Sequence, residues 1–92
     1  MAIINKVIVS SRLESGDSID VSVKAVDKPL SLEDKVLLER NITSKILPHV
    51  EDTLYFSVRK QSGLNGKNKE NWNKLKTIND VNKVVNEIFE VK

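Results

Sequence analysis

The single histidine of the chain, His49, is the first residue to consider for catalysis. It follows Pro48 and precedes Glu51 and Asp52, a grouping in which a carboxylate could orient an imidazole that acts as a general base. Base catalysis also needs a nucleophile or a polarising group, and the sequence offers neither. A solvated connection between a helix and a strand accounts for all four residues, so we expect no catalytic residue and no enzyme activity.

Metal and cofactor chemistry have equally little support. Glu14, Asp17 and Asp20 carry oxygen ligands, but their spacing is not that of a calcium-binding loop, and a hairpin turn explains them. The chain contains no cysteine, which excludes disulfides, thiolate metal sites and a cysteine nucleophile. The three glycines form no phosphate-binding motif. We therefore expect neither a metal nor a cofactor.

The segment from Arg59 to Lys76 is the one that stands out electrostatically. It holds six basic residues against one acid, Glu70, and has a net charge of +5, whereas the rest of the chain has −3. Such an asymmetry can steer an anionic partner. The candidate partner-binding residues are Arg59, Lys60, Lys67, Lys69, Trp72, Lys74 and Lys76.

Two interpretations of this basic segment remain open. The lysines could neutralise phosphates while a nucleobase stacks on Trp72. Alternatively, Trp72 packs over the edge of a sheet together with Leu75 and Ile78, and the lysines only keep the surface solvated.

The elements that must position these residues begin with two strands. Residues 3–13 carry apolar side chains of both parities, which predicts a central strand covered on both sides. Ser18 to Val26 alternate between apolar and polar residues, as in a strand with one buried and one solvated face. The turn-forming residues 14–17 between them predict an antiparallel hairpin.

Two amphipathic helices and a third strand follow. Ser31 is expected to cap the first helix and Pro48 to stop it. Thr53 to Lys60 is predicted to be a strand, and Thr77 is expected to cap the second helix. The predicted apolar faces are Leu32, Val36, Leu38, Ile42, Ile46 and Leu47 in the first helix; Leu54, Phe56 and Val58 in the strand; and Ile78, Val81, Val84, Val85, Ile88 and Phe89 in the second helix.

The basic, Lys/Asn-rich stretch 61–76 allows two structures. A two-residue turn at Asn65-Gly66 could fold Lys67 to Trp72 back as a fourth strand, and a loop fits nearly as well. We therefore predict a single α+β domain over residues 1–92, with a three- or four-stranded, mainly antiparallel sheet. The order along the chain is β-β-α-β-(β)-α. A right-handed crossover through the first helix gives the sheet order 2-1-3.

These features predict a non-catalytic binding module that docks on a larger protein or assembly. An accessory, inhibitor or small structural protein of a phage or another mobile element is the class we expect. The alternative is a nucleic-acid-binding module that uses Arg59 to Lys76. The sequence has neither a signal peptide nor a membrane-spanning stretch, so we expect a cytoplasmic protein without a membrane partner, and a homo-oligomer remains open.

Overall fold

The computed structural model describes residues 3–63 and 73–89 of the 92-residue chain. Its elements are β1 (Ile4–Leu13), β2 (Ser18–Val26), α1 (Leu32–Asn41), a π-helical turn (Ile42–Ile46), a 3-10 segment (Leu47–Asp52), β3 (Thr53–Gly63), β4 (Asn73–Leu75) and α2 (Ile78–Phe89). The predicted α+β class and the order of the elements are confirmed.

The four strands form one sheet in the order β2-β1-β3-β4, and every neighbouring pair is antiparallel. The predicted central position of β1 is therefore confirmed. The predicted hairpin between β1 and β2 is closed by the Leu13 backbone N–H, which donates to the Asp17 carbonyl at 2.8 Å. Gly16 in this turn has a φ of 96°, a conformation that side chains other than glycine rarely adopt.

Both helices pack on the same face of the sheet. Val7 and Val9 of β1 lie at the centre of this face and are fully buried, as predicted. Successive turns of both helical segments contribute to the same cluster. Its buried members are Val7, Val9, Val21, Val23, Leu38, Ile42, Ile46, Phe56, Val58, Val81, Val85 and Phe89.

The prediction that β1 is covered on both sides is wrong. No described helix packs on the other face of the sheet, where Ile8 is only half-buried and Ile4 is exposed. Ile4 and Ile8 made the second parity of β1 look apolar, but the same parity also carries Lys6, Ser10 and Arg12. We call this surface the open face. It comprises Ile4, Lys6, Ile8, Ser10, Arg12, Ser18, Asp20, Ser22, Lys24, Val26, Tyr55, Ser57, Arg59 and Gln61.

The first helix begins as expected but buries less than expected. Ser31 Oγ accepts from the Asp34 backbone N–H at 3.4 Å, and Asp34 Oδ2 accepts from the Ser31 N–H at 2.8 Å, so both halves of the capping box are present. Of the predicted stripe, Leu32, Val36 and Leu47 are exposed. Only the line Leu38, Ile42 and Ile46, spaced by four residues, faces the sheet.

The predicted end of this helix also needs correction. The α-helical part ends at Asn41, and the Leu47 N–H then bonds to the Ile42 carbonyl, five residues back, in the π-helical turn. Pro48 does not end the helical backbone at once. It lies in the first turn of the 3-10 segment, where a backbone N–H has no intrahelical acceptor, so proline costs no hydrogen bond there.

A β-bulge changes the start of β3. Arg12 pairs with Tyr55, but Leu13 pairs with Thr53, so Leu54 has no partner on β1. Leu54 is 52% exposed, so it does not share the buried face of Phe56 and Val58 as predicted. Phe56 and Val58 are buried as predicted. The strand continues to Gly63, three residues beyond the predicted end at Lys60.

A short fourth strand, β4, pairs with β3 through Phe56–Leu75, Ser57–Lys74 and Val58–Asn73. The predicted Asn65-Gly66 turn and the predicted strand from Lys67 to Trp72 lie outside the described residues. No described helix is long and apolar enough to cross a lipid bilayer.

The second helix matches its prediction closely. Thr77 caps it, since Thr77 Oγ1 accepts from the Asp80 N–H and Asp80 Oδ2 accepts from the Thr77 N–H, both at 3.3 Å. The predicted apolar stripe faces the sheet: Val81, Val85 and Phe89 are buried, and Ile78, Val84 and Ile88 pack around them.

Candidate functional site

One end of the open face is densely polar. Arg12 of β1 lies between Ser18 of β2 and Tyr55 of β3. In the next row, Ser10 lies between Asp20 and Ser57. Directly opposite side chains in such rows stand about 4.5–5.5 Å apart at Cβ, which is close enough for one ligand to contact both rows.

These two rows line a depression of about 370 Å³ in the surface of the sheet. The lining residues are Ser10, Ser11, Arg12, Ser18, Asp20, Tyr55 and Ser57. The Ser11 hydroxyl is buried against Thr53, so the set offers a ligand the hydroxyls of its other members, one guanidinium, one carboxylate and one aromatic ring. It includes neither a histidine nor a second carboxylate. The depression is therefore equipped to hold a polar ligand by hydrogen bonds, charge and ring contact.

The strands are strongly basic. Asp20 is the only acidic residue in the four described strands, which together carry six basic residues. Four of the six, Lys6, Arg12, Lys24 and Arg59, belong to the open face. The other described acids lie in the helices and connections, so the charge of the open face favours anions although the net charge of the chain is only +2.

Two of these cations face each other. Lys6 of β1 pairs directly with Lys24 of β2 on the open face. Among the residues that the structure describes, no carboxylate lies within ion-pair distance of either lysine. Like charges directly opposite each other destabilise a sheet. An anion bound over this pair would reduce the repulsion, which makes the pair a candidate binding feature.

Arg59 and Lys60, the first two residues predicted from the basic segment, lie on opposite faces of the sheet. Arg59 and Lys60 pair with Ile8 and Val7 respectively, and successive residues of a strand point to opposite faces. Arg59 therefore lies on the open face, half-buried, with a buried Nε. Lys60 lies on the side of the helices and is also half-buried.

The rest of the predicted set is only partly described. The backbone of Lys74 pairs with Ser57, next to the depression, and Lys76 is exposed just after β4. Lys67, Lys69 and Trp72 lie outside the described residues. The described ends of the basic segment therefore both belong to the sheet, with Arg59 in β3 and Lys74 in β4.

The sequence analysis did not single out Lys6, Arg12, Lys24 and Tyr55, which the structure places on the open face as candidate binding residues. Its available signal was the alternation in β2, which places Asp20, Ser22 and Lys24 on a solvated face. The cations of β1 and β2 are separated along the chain, and only the pairing register brings them together.

His49 and Asp17, which the sequence analysis considered for catalysis and for metal binding, do not line the depression. His49 is exposed, and its carbonyl accepts from Thr53 Oγ1 at 2.8 Å. Asp17 lies in the hairpin turn, where its carboxylate accepts from Ser15 Oγ at 3.2 Å. Within residues 3–63 and 73–89, no three histidine or carboxylate side chains come together in the manner of a metal site.

Comparisons of the chain with models of protein families, with curated proteins and with solved structures found no match.

Proposed function

We propose that this chain is a non-catalytic binding module that holds single-stranded nucleic acid against the open face of its sheet. The observation that carries the proposal is the distribution of charge in the described strands, where Asp20 is the only acid and four basic residues belong to the open face. The cytoplasmic location and the origin in a phage or another mobile element are further parts of the proposal.

The phosphate backbone would lie along β1. Lys6 and Arg12 are six residues apart on the same face of this strand, a span of roughly 20 Å. Lys24 and Arg59 flank this line from the neighbouring strands. An extended strand several nucleotides long can therefore contact cations along its whole length, which is the usual basis of binding without sequence preference.

The depression supports nucleic acid over an acidic peptide. Tyr55 offers a ring on which a base can stack, and stacking on an aromatic ring is tolerant of base identity. Arg12 donates to phosphate, whereas Asp20 and the serine hydroxyls match the amino and carbonyl groups of a base. A peptide of acidic side chains would use the cations but would leave Asp20 facing like charge.

Docking on a larger protein, the first expectation from the sequence, is the second candidate. It is favoured by the apolar end of the open face, where Ile4 and Val26 pair directly and each is nearly half exposed. Adjacent exposed apolar side chains are typical of protein contact sites.

The test is the anisotropy of a fluorescent oligothymidine of about 15 nucleotides, titrated with the protein at low salt. We expect binding by the wild type and a loss of about 5- to 150-fold in affinity for Tyr55→Ala, the range that corresponds to one stacked base. Lys24→Ala should also weaken binding. Lys45→Ala, which removes another exposed lysine from the helical side, is the matched control and should bind like the wild type.

Absence of binding by the folded wild type at low salt would contradict the proposal, since weak phosphate contacts are strongest there. Equal losses for Lys24→Ala and Lys45→Ala would point to the charge of the whole chain and away from the open face. Polyglutamate that competes equally well, together with an unaltered affinity of Tyr55→Ala, would favour an acidic protein as the partner.

A further inference from the structure

We infer that the outward face of α1 is an interface between two copies of this chain, joined as an antiparallel helix pair. The helix turns its buried residue Leu38 to the sheet, yet three large apolar side chains point away from it. Leu32 is 65% exposed, Val36 56% and Leu37 49%. Solvent-facing apolar clusters of this density on one short helix mark contact surfaces.

Two charges complete this face. Glu33 and Arg40 are both exposed and are seven residues apart, which is close to two helical turns, so they lie on the same side as Val36. The positions Glu33, Val36, Leu37 and Arg40 follow the spacing i, i+3, i+4 and i+7 of one helical stripe.

Neither charge has an acid or base to pair with on its own helix. The residues three and four positions after Glu33 are Val36 and Leu37, which are apolar. The same two residues lie four and three positions before Arg40. Glu33 and Arg40 are about 10.5 Å apart along the helix axis, too far for an ion pair. By contrast, Lys35 and Glu39 do pair within α1, at 3.7 Å.

A second copy of the chain provides a contact for every residue of the stripe Glu33, Val36, Leu37 and Arg40. In a two-fold antiparallel pair centred between Val36 and Leu37, Val36 of one copy meets Leu37 of the other. The same symmetry sets Glu33 opposite Arg40 and Arg40 opposite Glu33. A two-fold contact must be self-complementary, and this stripe is complementary in both charge and apolar character.

The interface is small. One short helix on each side buries less than the 1,200–2,000 Å² that is typical of stable complexes, so the dimer should be weak and depend on concentration. Because α1 packs on the sheet with the side opposite this stripe, dimerisation leaves the open face of each copy accessible.

Sedimentation equilibrium between about 10 μM and 1 mM tests the inference. We expect the wild type to change from monomer to dimer over this range and Val36→Asp to stay monomeric. Leu54→Asp is the matched control, since Leu54 is exposed to a similar degree but lies on the bulge of β3, and this variant should dimerise like the wild type. Thermal unfolding of each variant checks that it is folded.

The charge exchange tests the register. Glu33→Arg alone and Arg40→Glu alone should each weaken dimerisation about tenfold, because both ion pairs become repulsive. The double exchange Glu33→Arg/Arg40→Glu should restore it. A strictly monomeric wild type at 1 mM, or a Val36→Asp chain that still dimerises, would overturn the interface. Failure of the double exchange to recover affinity would overturn the antiparallel register.

Discussion

The buried hydroxyl of Ser11 lies 3.0 Å from Thr53 Oγ1 across the β1–β3 pair. Thr53 Oγ1 in turn donates to the His49 carbonyl at 2.8 Å, so Ser11 is the donor in the first contact. The two bonds tie the end of the 3-10 segment to the central strand at the position where the bulge begins. These two hydrogen bonds thus fix the position of Thr53, the first residue of β3.

Thr53→Val is expected to destabilise the protein by about 1–3 kcal/mol, because the Ser11 hydroxyl stays buried and loses its acceptor. Thr53→Ser keeps that acceptor and should have a smaller effect. Urea unfolding measures both free energies. If the two variants are equally stable, the hydroxyl contact has no energetic role.

Val7→Asp should destabilise the protein by several kcal/mol, because it places an unpaired charge in the core between sheet and helices. Ile4→Asp introduces the same side chain into the same strand on the open face, and should cost less than about 1 kcal/mol. Thermal unfolding of the two variants measures how one-sided the sheet is. Similar losses would mean that both faces are covered in solution.

Thr77→Ala is expected to lower the free energy of unfolding by about 0.5–2 kcal/mol through loss of the cap of α2. Thr77→Ser retains the hydroxyl and serves as the control. Chemical denaturation gives both values, and Cα chemical shifts report where the helix begins. A helix that begins at the same residue in Thr77→Ala, with unchanged stability, would remove the cap as a cause.

The free energy of unfolding should depend on pH through the ionisation of Asp80. Hydrogen bonds from the Thr77 hydroxyl and backbone N–H, together with the nearby Lys83, hold the pKa of this exposed carboxyl below its ordinary value. The stabilisation is therefore present above the unfolded pKa of about 3.9 and disappears as the pH falls through the lower folded pKa. Asp80→Asn should be less stable than the wild type at pH 7 and equally stable once the carboxyl is protonated. Glu87→Gln, at the other end of α2, should not show this loss at pH 7.

Lys24→Glu should have opposite effects on folding and binding. The exchange turns the repulsion across the Lys6–Lys24 pair into attraction, which is expected to stabilise the sheet by about 0.2–1 kcal/mol. It also removes a phosphate contact, so the salt dependence of oligothymidine binding should weaken by about one unit in the log–log slope. Lys45→Glu is the control for both measurements. A destabilised Lys24→Glu chain would contradict the repulsion.

Much of the fold could be predicted because it rests on local signals. The alternation in β2, the turn before it and the two capping boxes at Ser31 and Thr77 each act within a few residues. The described β3–β4 pairs are symmetric about positions 65 and 66, the register that a turn at Asn65-Gly66 predicts.

The missed features depend on contacts that are distant along the chain. Apolar residues lie on more than one side of α1, and the helical wheel alone does not say that Leu38 meets the sheet while Val36 meets solvent. The site was missed for the same reason. Lys6 and Lys24 become neighbours only through the hairpin register, and the sequence analysis looked for binding residues in the one stretch where cations are dense along the chain.

The bulge at Leu54 also shapes how this protein can change length during evolution. A one-residue insertion or deletion inside a strand moves every later side chain to the opposite face. At Leu54 the extra residue is already looped out, since Tyr55 and Thr53 pair with the consecutive residues Arg12 and Leu13 of β1. Loss of Leu54 would leave Phe56 and Val58 on the buried face, whereas loss of Ser57 would invert Phe56 relative to Val58. The start of β3 is therefore a place where one codon can be lost without disturbing the core.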